Sequence, residues 1–172
     1  TVAANTDLPI LLYNNAPKTH VTITPQTVAR LAKEKNIIGI KDSTGDLTMT
    51  GEYIRLTAGE EFSVMMGRDS MIYGALCYGA TGGVAACANV APKLVCDIYN
   101  RFQAGDHKGA LEAQYKVTPL RIAFGLGTFP AVIKEALQMI GIPVGNCYLP
   151  AGPLSAEEKK QLEQILKGMD LI

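Results

Sequence analysis

The sequence carries no excess of charge of either sign. Lys and Arg together number 16, Asp and Glu together also number 16, and the formal net charge is zero. General electrostatic attraction to nucleic acid or to anionic lipid requires an excess of positive charge. We therefore expect neither nucleic acid nor a membrane among the partners.

Long hydrophobic runs and leader patterns are also lacking. No apolar stretch approaches the length of about 20 residues that spans a bilayer. The opening residues, TVAANTDLP, lack the basic segment followed by an apolar one that marks a secretory signal peptide. We expect a cytoplasmic protein.

Histidines and paired cysteines are scarce. The chain has two His and four Cys, and no two cysteines form a CxxC pair. So few histidines and unpaired cysteines favour neither a zinc site nor a Ser-His-Asp triad, so we expect no metal and no cofactor. Buried, reduced thiols are the favoured interpretation of the cysteines and disulfides are the alternative.

Short apolar runs instead alternate regularly with helical patterns. Four predicted strands, each followed by a predicted helix, begin near Leu8, Ile37, Phe62 and Gly82. Strands joined through right-handed helical crossovers pair in parallel. The sequence therefore predicts an α/β fold with a parallel sheet.

The pattern changes after residue 104, where three further helices follow one another without a strand. We predict two domains, a βα block at residues 1–104 and a helical C-terminal extension at residues 105–172. The block fits either an open doubly wound sheet or part of a (β/α)8 barrel. A closed barrel needs eight strands and about 250 residues, so the barrel interpretation needs further strands from elsewhere.

Two predicted strands end in an ionisable side chain. The run LPILLYN ends in Tyr13 and Asn14, and NIIGIKDSTGD carries Lys41. In a parallel sheet the functional face lies at the carboxyl ends of strands, and paired strands are about 4.8 Å apart. The phenol and the ε-amine can therefore meet.

This pair has a chemical and a structural interpretation. Burial disfavours a charged amine, and a neutral amine forms a Schiff base with a ketone, with a phenol as proton carrier. Alternatively, Lys41 ends its strand pointing to water and Tyr13 packs at the rim. Asp42 either tunes the charge of Lys41 or is a loop-exposed carboxylate.

The ordered set LLYN, IIGIKDSTGD, the Gly-x-Asp segment at residues 67–69 and GATGGVAACANV resembles the dihydrodipicolinate synthase / N-acetylneuraminate lyase family. These are pyruvate-handling class I aldolases and lyases built on a (β/α)8 TIM barrel with a helical C-terminal extension. The resemblance implies that Lys41 is the Schiff-base lysine and Tyr13 the proton relay. It also implies substrate contacts from the backbone at Val84, the strand end at Gly67 and the hydroxyl of Ser43.

The resemblance further implies an incomplete barrel. The chain looks like the C-terminal portion of such a protein, with residues 1–104 as the C-terminal half of the barrel. Four strands and the Thr-rich loop that binds the pyruvate carboxylate would be absent. We expect a fragment, or a half-barrel that assembles with a partner. The resemblance also implies a homo-oligomer, and more specifically a tetramer.

Two departures from the family pattern concern the second substrate. Lys18 stands where dihydrodipicolinate synthases usually carry a carboxylate-binding arginine, and lysine lacks the bidentate fork. Ser70 stands where sialic acid lyases tend to carry a carboxylate. The predicted function is a Schiff-base-forming aldolase, lyase or synthase acting on pyruvate or a related 2-oxo acid. The second substrate and the direction of reaction stay open.

Three alternatives remain. The first is the dihydrodipicolinate synthase activity of lysine biosynthesis itself, and the second is a non-catalytic half-barrel that assembles with a partner. The third is a nucleotide-binding open sheet, for which the sequence offers no phosphate-binding loop.

Overall fold

A computed structural model describes residues 1 to 172. The strands are β1 (Ile10–Asn14), β2 (Ile37–Asp42), β3 (Ser63–Met66) and β4 (Gly82–Gly83). The first helices are α1 (Ala16–Thr19), α2 (Pro25–Leu31), α3 (Leu47–Leu56) and α4 (Ile72–Cys77). The later helices are α5 (Pro92–Gln103), α6 (His107–Ala123), α7 (Ala131–Met139) and α8 (Ala156–Gly168). Short 3₁₀ helices span Ala3–Asn5, Asp69–Met71 and Ala86–Asn89.

The four strands form one sheet in the order β1-β2-β3-β4, and every neighbouring pair is parallel. A strand order that follows the chain, with right-handed crossovers, places all the connecting helices on one face. A doubly wound sheet would reverse its direction part-way. The predicted parallel α/β fold is confirmed, and the barrel-type alternative is the one that this order supports.

Local sequence signals account for the helix starts. The hydroxyl of Thr24 accepts a hydrogen bond of 3.3 Å from the N–H of Thr27 at the start of α2. The carboxylate of Asp46 accepts bonds of 2.8 Å and 3.2 Å from two N–H groups in the first turn of α3. Side-chain oxygens at this position satisfy N–H groups that the helix itself leaves unpaired.

The chain forms two compact units, Thr1–Ala85 and Ala86–Ile172. The predicted boundary after residue 104 therefore does not coincide with this division, because α5 packs against α6 of the second unit. In that second unit α8 also packs against α6 and α7. The assignment of residues 1–104 and 105–172 as domains stays a prediction.

One face of the sheet in the first unit is packed and the other is open. The buried cluster Val28, Ile40, Tyr53 and Val64 joins α2 and α3 to the strands. Side chains that point the other way are exposed, among them Leu11 at 40%, Tyr13 at 52% and Val84 at 41%. This half-open sheet leaves a partly apolar face in contact with solvent.

The cysteines correct one expectation. All four are free thiols, but only Cys87 is buried, whereas Cys77 and Cys96 are exposed and Cys147 is intermediate. The predicted burial is therefore correct for Cys87 and wrong for Cys77 and Cys96, because these two lie in α4 and α5 at helix positions that face outward. None of the helices combines the length and the apolar character needed to cross a membrane.

Candidate active site

Tyr13 and Lys41 lie side by side at the carboxyl ends of β1 and β2. They are register partners in the parallel pair, and the Lys41 Nζ lies 4.5 Å from the centroid of the Tyr13 ring. Since strand side chains alternate between faces, both project on the open face of the sheet. The structure thus brings together the two predicted catalytic side chains.

Gly67 and Ser43 lie next to Lys41. The N–H of Ser43 donates to the carbonyl of Asn14 at 2.9 Å, and the N–H of Gly67 donates to the carbonyl of Asp42 at 2.6 Å. A Cβ built on Gly67 would collide with the Oγ of Ser43 and lie 2.9 Å from the Cε of Lys41. Because glycine has no side chain, residue 67 leaves room for the side chains of Lys41 and Ser43.

Val84 lies at the same edge of the sheet. Its N–H donates to the carbonyl of Met66 at 2.9 Å and so continues the β3–β4 pairing by one residue. Because that N–H is used within the sheet, a contact of this backbone with a substrate has to use the carbonyl oxygen.

Lys18, the remaining predicted site residue, lies in α1, the short helix that follows β1. It is exposed on the four-residue α1, where its own N–H donates to the carbonyl of Asn15 at 2.8 Å. No hydrogen bond or ion pair of its side chain joins it to Tyr13 or Lys41. Its assignment as a substrate-binding residue stays a prediction.

Sequence reasoning missed Asn15. Its side-chain amide donates a 3.0 Å hydrogen bond to the phenol oxygen of Tyr13, so the phenol keeps its own proton for another acceptor. The only sequence signal is the Asn-Asn pair directly after the tyrosine. That pair is more often a feature of turns, because asparagine side chains bond readily to nearby backbone.

Sequence reasoning also missed a buried polar network on the opposite, helix-covered face. Asn14 and Asp42 are fully buried register partners, one residue after Tyr13 and Lys41, and the Asn14 amide donates to the Asp42 carboxylate at 3.3 Å. The interpretation of Asp42 as a loop-exposed carboxylate was therefore wrong. The signal lay in the alternation itself, which turns the residue after an open-face side chain into the packed layer.

Tyr53 of α3 completes this network. Its hydroxyl accepts from the Asn14 amide at 2.8 Å and donates to the carbonyl of Ile23 at 2.5 Å. Burial raises the pKa of the Tyr53 phenol above its usual range, and the charges of Asp42 and Asp46 raise this pKa further. The phenol is consequently a neutral hydrogen-bond donor at physiological pH.

His, Cys, Asp and Glu side chains nowhere gather in a group of three or more that could hold a metal ion. The groups able to do chemistry at the sheet edge are an amine, a phenol, a hydroxyl and a backbone carbonyl. An amine beside a phenol can form an imine with a carbonyl compound and move the protons that this requires.

Residues 1–169 match the model of the dihydrodipicolinate synthetase family. The chain belongs to this family.

Curated relatives give the same result. The chain is 39% identical over 168 residues to the 4-hydroxy-tetrahydrodipicolinate synthase of Methanothrix thermoacetophila. This match covers 98% of this chain and 57% of that protein. It is 36% identical over 171 residues to the enzyme of the same name from Archaeoglobus fulgidus, covering 99% and 59%. This member of the dihydrodipicolinate synthetase family thus spans less than two thirds of the length of these relatives.

Solved structures of the family share the fold. Dihydrodipicolinate synthase from Thermotoga maritima superposes with a TM-score of 0.95 at 32% identity, covering 99% of this chain and 59% of that one. A prophage protein of the dihydrodipicolinic acid synthase family from E. coli K12, solved in complex with pyruvate, gives a TM-score of 0.94 at 32% identity and the same coverage. The predicted fold class, a portion of the family's TIM barrel with a helical C-terminal part, is confirmed.

Proposed function

We propose that this chain carries the imine-forming centre of a class I aldolase, lyase or synthase that acts on pyruvate or a related 2-oxo acid. The observation that carries the proposal is the register pairing of Tyr13 with Lys41, with Nζ 4.5 Å from the ring centroid. Support for pyruvate comes from the family structure solved with that compound.

The chemistry follows from the groups at the sheet edge. The neutral amine of Lys41 attacks the 2-oxo carbon and forms a C–N bond, and the oxo oxygen leaves as water after taking up two protons. The phenol of Tyr13 carries protons between the reacting atoms. The hydroxyl of Ser43 and the backbone carbonyl of Val84 contact the bound substrate. Gly67 leaves the room that the side chains of Lys41 and Ser43 need.

Borohydride trapping tests this proposal. The full chain, in whatever assembly it forms, is incubated with pyruvate and borohydride, digested, and weighed by mass spectrometry. We expect a reduced pyruvate adduct on Lys41, none in Lys41→Arg, and an unchanged adduct in the control Lys35→Arg on the exposed surface. Absence of the adduct on Lys41 would remove the proposal.

The second substrate decides between activities within the family. The names of the curated relatives support 4-hydroxy-tetrahydrodipicolinate synthase activity. Lys18 could hold a substrate carboxylate as a point charge, without the bidentate geometry of arginine. Product formation from pyruvate with a panel of aldehydes, with and without Lys18→Ala, distinguishes this activity from cleavage of a 2-oxo acid.

A non-catalytic half-barrel that assembles with a partner is the second candidate. It is favoured by the open sheet face, on which Leu11, Tyr13 and Val84 are at least 40% exposed. Unpaired edges and apolar faces of this kind promote association. Sedimentation of the chain alone tests assembly with itself and the proposed homo-oligomer, because a stable monomer of 18.4 kDa contradicts both. A tetramer and a cytoplasmic location stay predictions.

A further inference from the structure

A buried polar network lies on the helix-covered face of the sheet, next to the carboxyl ends of β1 and β2. The network consists of Asn14, Asp42, Thr44, Thr50 and Tyr53. Asn14 bridges the two strands and α3, since its amide donates to the Asp42 carboxylate at 3.3 Å and to the Tyr53 hydroxyl at 2.8 Å. The side-chain oxygen Oδ1 of Asn14 accepts from the N–H of Ile23 at 3.2 Å, and the Tyr53 hydroxyl donates to the carbonyl of Ile23.

Asp42 is the other centre of the network. Its carboxylate accepts from the hydroxyl of Thr50 at 2.7 Å, and from the N–H and the hydroxyl of Thr44 at 3.1 Å and 2.9 Å. These bonds wrap the β2–α3 loop, which contains Ser43, around the end of β2. No buried side-chain nitrogen or oxygen in the chain lacks a partner.

Hydrophobic packing does not require polar side chains at these buried positions. The adjoining cluster of Val28, Ile40 and Val64 is apolar, and the side chains of Asn14, Asp42, Thr50 and Tyr53 are all 0% exposed. A buried polar group costs free energy unless it is hydrogen-bonded, and a fully satisfied network fixes one geometry in return. What this network fixes is the relative position of the two strand ends.

Its position in the sequence relates it to the reactive pair. Asn14 and Asp42 directly follow Tyr13 and Lys41, and both pairs are in register. A slip by one residue would turn every side chain of the strand to the other face. The Asn14–Asp42 bond holds the register at the pair next to the phenol and the amine.

We propose that Asn14, Asp42 and Tyr53 are positioning residues that hold the Tyr13 phenol and the Lys41 amine at reacting distance. The inference rests on the proposed function, because it concerns the same Lys41 imine. These residues do not touch the substrate; they act through the strands that present Tyr13 and Lys41. Loss of the network shifts the phenol relative to the amine, and a displacement of about 1 Å can cost about a hundredfold in rate.

Tyr53→Phe is the sharpest perturbation. It keeps the ring in the core and removes only the hydroxyl that joins Asn14 to Ile23. Thr57→Val is the matched control, because it also removes a buried hydroxyl next to α3, whose 2.8 Å bond runs to the carbonyl of Tyr53 and reaches neither strand end. Both variants are tested as the full chain under conditions where each is folded.

Two readouts are measured on both variants. The first is the exchange of pyruvate methyl protons with deuterated solvent at saturating pyruvate, across pH, which reports proton transfer at the imine. We expect Tyr53→Phe to slow this exchange by about tenfold to about a hundredfold, and Thr57→Val to leave its rate and pH profile unchanged. Equal effects of the two variants would overturn the inference.

The second readout needs no pyruvate. Amide hydrogen exchange is followed at Ser43 and Gly67, whose N–H groups bond to the carbonyls of Asn14 and Asp42. We expect faster exchange at both amides in Tyr53→Phe and not in Thr57→Val. If the unmodified chain forms no imine, the proposed function fails while these amides still decide the positioning role, and unchanged exchange in Tyr53→Phe overturns it.

Discussion

Replacing Gly67 by alanine tests directly whether Lys41 and Ser43 converge on one point. The added Cβ would collide with the Oγ of Ser43, lie 2.9 Å from the Cε of Lys41 and lie 3.0 Å from the carbonyl oxygen of Asp42. The two side chains can rotate away at a cost of about 0.5–1.5 kcal/mol each where the new rotamer is strained. The carbonyl cannot move without disturbing the 2.6 Å bond that it accepts from the N–H of Gly67.

These contacts set the expected magnitude. Overpacking of this kind costs about 1–3 kcal/mol in the free energy of unfolding. The effect on imine formation is expected to be larger, because Lys41 has to leave its position over the Tyr13 ring to relieve the clash. Urea unfolding measures the first quantity, and the time course of borohydride trapping with pyruvate measures the second. We expect trapping to slow by at least about tenfold.

Gly82→Ala is the matched control at the same sheet. Its Cβ would meet only the Cε of Met65, at an ordinary distance of 3.6 Å. We expect this variant to unfold and to trap pyruvate like the unmodified chain. If Gly67→Ala matched Gly82→Ala in both assays, then Ser43 and Lys41 would not converge on residue 67 in solution, and the description of the site would be refuted.

Three further predictions concern other groups. Folding raises the pKa of Tyr53. The neutral phenol therefore makes its full contribution to the free energy of unfolding below a pH of about 10, and this contribution is lost as pH rises above that value. Alkaline unfolding should show this loss, and Tyr53→Phe should lack that component. Asn15→Ala removes the donor to the Tyr13 phenol and should slow methyl-proton exchange of pyruvate while changing the unfolding free energy by less than about 0.5 kcal/mol; equal exchange rates would contradict it. Ser155→Ala breaks the capping box with Glu158 at the start of α8 and should cost about 1 kcal/mol in urea unfolding, with no effect on trapping.

The features that sequence could predict are those written in local or periodic patterns. The caps Thr24 and Asp46 follow from side-chain chemistry next to a helical pattern. The meeting of Tyr13 and Lys41 follows from two strand ends at one edge of a parallel sheet. In both cases the inference needs only neighbouring residues or one rule of sheet geometry.

The features that sequence could not predict depend on distant residues or on very short segments. Asn14 bonds to groups 28 and 39 residues away, on β2 and α3, and only the exact register and the helix placement bring them together. The four-residue α1 is too short to show a period. The strand predicted from GGVAA shrinks to Gly82–Gly83, since glycines pack no side chain against the sheet.

The two faces of the sheet depend differently on what surrounds the chain. All members of the polar network lie in the unit Thr1–Ala85, and their hydrogen bonds are complete there. The open face, with Tyr13 at 52% exposure, is instead only partly covered. The geometry of the phenol and the amine is therefore set from behind, by groups within this unit. A chain that traps pyruvate slowly while the amides of Ser43 and Gly67 remain protected would therefore lack groups that bind the substrate, rather than groups that position the phenol and the amine.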